Sequence, residues 1–163
     1  MLPSLLLRCV IVLAMASPRL CEAARVGQLE VRNGKDGIPC FTISEAEEKL
    51  DGAPNFHAIT VGEAAPGPRT VMWRMNMPGP RTFPVSFRMC VPYAGRLPVL
   101  PQTPAAQLLP GRVYEVAIEA RGPFGQGAPH IYRARFCVAE PGKGVIGVRS
   151  ARSERRGRQV CGA

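Results

Sequence analysis

Three stretches of this 163-residue chain alternate with a period of two, and that period constrains the fold class more than any other feature. In TVMWRMNM, Val71, Trp73, Met75 and Met77 share one side while Arg74 and Asn76 share the other. YEVAIEA sets Tyr114, Val116 and Ile118 against Glu115 and Glu119, and IYRARFCV sets Tyr132, Ala134, Phe136 and Val138 against Arg133 and Arg135. Alternation of this kind buries one face of a strand and wets the other. Shorter runs, GQLEV, PCFTIS, FHAITV, VSFRMCV and GVIGV, supply further strands.

The joints agree. Prolines and glycines gather in NGKDG, APGP, MPGP and EPGKG and in the long link LPVLPQTPAAQLLPG over 97–111, where neither a helix nor a central strand can run. SEAEEKL is the one helical suggestion, a single turn that Ser44 would cap with Glu47 three residues on. PGPRTVMWRMNM and PGPRTFPVSFRM begin with the same five residues, a period far too short for a solenoid unit. They read as two successive strands entered by one type of turn and neighbouring in one sheet. The pattern predicts an all-β chain, an antiparallel immunoglobulin-like sandwich of about seven or eight strands with Pro-rich connections and Trp73 in its core.

The ends of the chain have their own composition. Residues 1–23 carry a cation at Arg8, an apolar run from Cys9 to Ala16 and a polar segment before Ala23, the order of a secretory signal peptide cut after Ala23. Lipidation at Cys21 is the alternative, disfavoured by Leu20 where a small residue belongs. A body over 24–148 has room for one domain, and a basic tail over 149–163 is expected to be poorly ordered. Residues 24–140 carry a charge balance of +3 and residues 141–163 one of +5, so most of the excess sits in the tail. Arg149, Arg152, Arg155, Arg156 and Arg158 would allow weak attachment to an anionic surface. Nucleic acid is not expected for an exported chain whose tail has no interleaved aromatics.

Export makes disulfides the default for Cys40, Cys90, Cys137 and Cys161, and four cysteines permit three full pairings. Strand phase places Cys90 with Ser86 and Arg88, Cys137 with Arg133 and Arg135, and Cys40 with Thr42, all opposite the apolar positions. The bridges are therefore expected to clamp neighbouring strands, or a strand and a loop, on an outer face. With no CxxC spacing and only His57 and His130 as imidazoles, neither a metal nor a cofactor is expected. A nucleophilic Cys90 would need one of those histidines as its base, and no GxSxG, HExxH or phosphate-loop motif is present. Glu115 and Glu119 are expected to meet Arg133 and Arg135 across a hairpin as a surface ladder. The chain is thus expected to be non-enzymatic, with partner contacts on exposed loops at Tyr93, Phe124 and His130.

At IPCFTIS, FRMCVPY, GRVYEVAIEAR and IYRARFCVAE the order of strands and cysteines resembles bacterial envelope immunity lipoproteins associated with type VI secretion. The likeness spans most of residues 28–140. It implies a Cys40–Cys90 pair, with Cys137 and Cys161 left to each other, and a protein that binds and blocks a toxin in the periplasm. A structural or assembly module of the envelope and a small-ligand-binding sandwich are the other readings.

Overall fold

The computed structural model describes residues 25–65, 67–95, 100–121, 127–138, 147–153 and 159–161. Among these the chain forms β1 (Val26–Asn33), β2 (Pro39–Ile43), α1 (Glu45–Asp51), β3 (Asn55–Glu63), β4 (Val71–Asn76), β5 (Phe83–Pro84), β6 (Val91–Pro92), β7 (Val113–Ala120), β8 (Ile131–Val138), β9 (Val148–Ser153) and β10 (Gln159–Cys161). The fold is all-β. Its strands follow the order β4-β3-β7-β8-β1-β2-β6, with β9 added on β8, β10 on β9 and β5 on β3.

One pairing departs from the all-antiparallel expectation: Val26–Gln28 of β1 run parallel to Ile131–Arg133 of β8, and the rest of β1 pairs antiparallel with β2. Gly27 permits the approach, because a Cβ there would collide with the ring of Tyr132. Arg25 fixes the entry angle by gripping Glu47 and Asp51 of α1. α1 itself starts where its sequence says, with Ser44 Oγ accepting from the Glu47 amide, but it runs for seven residues rather than one turn.

β1 thus belongs to both halves of a curled sheet, and the core lies inside the curl. Phe41 of β2 meets Phe136 of β8 with ring centroids 5.6 Å apart, and Trp73 of β4 meets Tyr93, just beyond β6, at 5.5 Å. Trp73, Tyr114, Phe136, Ile59 and Ile118 are fully buried. The register keeps Ile59, Ile118, Tyr132 and Met75 on this inner side and Thr60, Arg74, Ala117 and Arg133 on the outer one.

Several strands differ from the reading by periodicity. A bulge where β4 meets Val61 and Gly62 inserts Met72, so Val71 turns outward at 51% exposure instead of sharing the face of Trp73. VSFRMCV is strand only at Val91, where β6 begins. Val85–Cys90 has Phe87 and Arg88 in a turn, and its backbone is held from the side: Thr42 Oγ1 donates to Ser86 O at 2.9 Å, Arg32 Nη1 donates to Phe87 O at 2.9 Å, and Glu48 Oε1 accepts from Phe87 N at 3.0 Å. The two strands opened by PGPRT do not pair with each other; β4 and β5 lie end to end along β3. Beyond β4, the Pro-rich link covers the free edge, with Thr103 N donating to Arg74 O and Ala106 N to Met72 O.

The basic tail, expected to be poorly ordered, contributes β9 and β10. Phe136–Val138 pair with Ser150–Val148, and Gln159–Cys161 pair with Ser153–Ala151. GVIGV yields strand only from Val148, its first residues lying outside those described. The same holds for the leader over 1–23, with Cys21, and for Arg155, Arg156 and Arg158.

Candidate functional site

Both disulfides join a strand to a later segment: Cys40–Cys90 with Cα atoms 5.4 Å apart and Cys137–Cys161 at 5.6 Å. Cys40 alternates with Phe41 along β2, and Cys137 with Phe136 along β8, so each bridge leaves the strand on the side opposite the apolar core. Cys90 is not on a strand, so the phase argument does not apply to it; the Val85–Cys90 turn lies over the outer side of β2 and brings it there. Bonded to Cys40, Cys90 offers no thiolate to either histidine. His57 is the extra residue of a bulge between β3 and β7, with its Nδ1 buried and without a hydrogen-bond partner among the described residues. His130 is exposed at the start of β8, where its carbonyl accepts from the Ala120 amide. Among the described residues no three His, Cys, Asp or Glu side chains gather as a metal-binding group.

Tyr93 does not protrude as a partner contact. It is 8% exposed, its hydroxyl donates to Ala106 O at 2.7 Å and lies 3.2 Å from Met72 O, and burial with the nearby Tyr114 pushes its pKa up to about 12. Its tight turn looks exposed in sequence, yet it locks the Pro-rich link onto β4. It also lines an apolar cleft of about 240 Å³ with Ile38, Pro39, Ala94, Leu108 and Val138. That volume is below the roughly 300 Å³ at which sites for drug-sized ligands begin. Phe124 lies outside the described residues.

The residues that do come together are on the outer face of the sheet, at the end where β3 stops and β7 begins. Glu115, only 7% exposed, sits between two guanidinium groups: Arg69 Nη1 donates to its Oε1 at 2.6 Å and Arg135 Nε donates to its Oε2 at 2.9 Å. Gly62 is the cross-strand partner of Glu115, and with no side chain there Arg69 crosses to reach the carboxylate. At the same end of the sheet Arg112 pairs with Glu63 at 2.7 Å, flanking a cleft of about 270 Å³ lined by Glu63, Ala64, Ala65, Arg112 and Val113. Cys137 is the partner of Val113 on one side and of Arg149 on the other, so the second disulfide fastens the end of the basic tail to this place. Arg69 and Arg135 thus flank one buried carboxylate on this face, and the Arg112–Glu63 pair lies at the same end of the sheet.

The ladder read from sequence is present in altered form. Glu115 meets Arg135, but Glu119 meets Arg74 of β4 at 3.8 Å rather than Arg133. Arg69 was not singled out, because it stands in a turn 46 positions from the carboxylate it holds. The only signal for it was an arginine repeated at the same place in both PGPRT segments.

An arrangement of this kind can bind and orient an anionic group. Each guanidinium uses one donor on Glu115, while the side chains of Arg69 and Arg135 remain 54% and 42% exposed. Compared with protein-family models, with curated proteins and with solved structures, the chain matches none of them.

Proposed function

We propose that this chain is an exported envelope protein, built as an immunoglobulin-like sandwich, that binds a toxin in the periplasm and blocks it by occlusion. The observation that carries a binding role is the cation-rich outer face: a rigid sheet presents fixed arginines on a surface rather than in an enclosed pocket. Two disulfides fit an oxidising compartment, and no helix among the described residues is long and apolar enough to cross a membrane. The immunoglobulin-like reading draws its support from β1 passing between the two halves of the curl and from the aromatic contacts across it.

The test is a contact competition. A strain lacking the gene is mixed with its parent on a solid surface, and survivors are counted with and without a plasmid copy. Selective loss of the deletion strain, restored by the plasmid, is expected. Equal survival while secretion is active would remove the immunity role and leave an assembly module of the envelope as the reading, tested by stable association with abundant envelope proteins or peptidoglycan.

A further inference from the structure

We infer that the Arg69–Glu115–Arg135 triad anchors a carboxylate-rich surface of the protein partner, with Glu115 serving to position the two arginines rather than to touch the partner. This rests on the binding role proposed above. Glu115 is more than nine-tenths buried and each of its oxygens accepts from one of the arginines, so the carboxylate faces its two partners rather than a ligand. Its charge instead fixes two long side chains that would otherwise lose rotamer freedom on binding. Arg69 comes from the turn before β4 and Arg135 from β8, so the carboxylate joins opposite sides of the face across β3 and β7. Their planar forks match carboxylates two bonds at a time, which a lysine cannot do.

Charge at this end of the sheet points the same way. The triad sets two guanidinium groups on one carboxylate, and the Arg112–Glu63 pair at the same end is balanced. The floor between them on β3 and β7 is small, with Gly62, Thr60 and Ala117 on the outer side. No ring lies in register with these residues, which disfavours a nucleic-acid strand, whose bases stack on aromatics.

The experiment titrates the full, disulfide-intact protein with a hexaglutamate peptide at about 50 mM salt, where surface charges are weakly screened. Parallel arms use vesicles containing phosphatidylglycerol and a single-stranded oligonucleotide. The triple variant Arg69→Gln, Glu115→Gln, Arg135→Gln removes the buried charge together with its partners. It is expected to weaken hexaglutamate binding about tenfold, while Arg81→Gln, with the same net change in charge, alters it less than about twofold. Glu115→Gln alone decides between organisation and bulk charge. It makes the face more positive, so bulk attraction predicts tighter binding, whereas loss of the positioned pair predicts weaker binding. Arg135→Lys gives the same reading with charge kept and the fork removed, should the triple variant fold poorly.

Tighter binding by Glu115→Gln, equal losses in the triple variant and Arg81→Gln, or triad-dependent binding of vesicles or oligonucleotide without hexaglutamate would each overturn the inference. Absence of hexaglutamate binding in a protein that still protects in the competition would overturn the anchor and keep the immunity role. Triad-dependent binding without protection would do the reverse.

Discussion

One disulfide lies near the β6 end of the strand order and the other where β9 and β10 branch from β8, and the two bridges hold different kinds of structure. Cys40–Cys90 spans 50 positions and Cys137–Cys161 spans 24. Loop closure alone separates their contributions by only about 0.6 kcal/mol, so what each bridge is embedded in decides the difference. The first ties the Val85–Cys90 turn to β2, a strand with all five residues buried. Thr42, Arg32 and Glu48 hold the same turn, and the Arg32 guanidinium lies 4.3 Å from the centre of the Phe87 ring. The second ties β10, three residues long, to a sheet with which, among the described residues, it pairs through β9. One bridge reinforces a core already made, and the other is the principal fastening of a surface element. A covalent bond is therefore expected to stabilise globally at β2 and locally at the β9–β10 branch.

The sharpest way to break that comparison is at the shared core. Phe41→Ala removes a fully buried ring that touches Phe136 across the two halves, and is expected to cost about 3–5 kcal/mol in denaturant unfolding. A loss near 1 kcal/mol would mean that the halves are not packed on each other as described. Replacing Cys40 and Cys90 by serine is expected to cost about 2–4 kcal/mol globally. The same replacement at Cys137 and Cys161 should cost the rest of the sheet less than about 1 kcal/mol, while amides over Ala151–Ser153 lose their protection against hydrogen exchange. Equal global losses would erase the distinction.

Alkali probes the core without mutation. Burial, aided by the carboxylates of Glu47 and Asp51, raises the Tyr132 hydroxyl to about 12, and Tyr93 reaches about 12 as well. A phenol raised in the folded state contributes stability that is fully present below its unfolded value near 10 and is lost as pH climbs through the folded one. Denaturation midpoints should therefore fall between about pH 10 and pH 12, and Tyr93→Phe with Tyr132→Phe should flatten that fall. The smallest effect is expected at Arg112, whose half-exposed pair with Glu63 should be worth less than about 1 kcal/mol, so that Arg112→Ala leaves the unfolding midpoint almost unchanged.

Much of the frame was legible in the sequence because β4, β7 and β8 each present one face to a core and one to water, and side-chain period records that directly. Ser44 was legible because a cap is a local hydrogen bond. The Val85–Cys90 turn was not, since its apolar residues alternate like a strand while its hydrogen bonds go to side chains far away in sequence. Val71 was misread because a bulge adds one residue without any mark in the periodicity. At the site, Glu115 and Arg135 were visible as facing positions on adjacent strands, whereas Arg69 reaches its carboxylate only through the absence of a side chain at Gly62. Tyr93 looked like a loop residue because its two hydroxyl partners are backbone carbonyls, which no sequence pattern reports.

The double allegiance of β1 has a consequence in time. Val26–Gln28 lead the body of the chain, yet their partners on β8 are made about a hundred residues later. A sheet closed by its first and nearly last strands cannot complete itself during synthesis, and such long-range closure is slow even afterwards. The chain is therefore open for as long as it is being made, the state in which a polypeptide can still be threaded through a narrow channel.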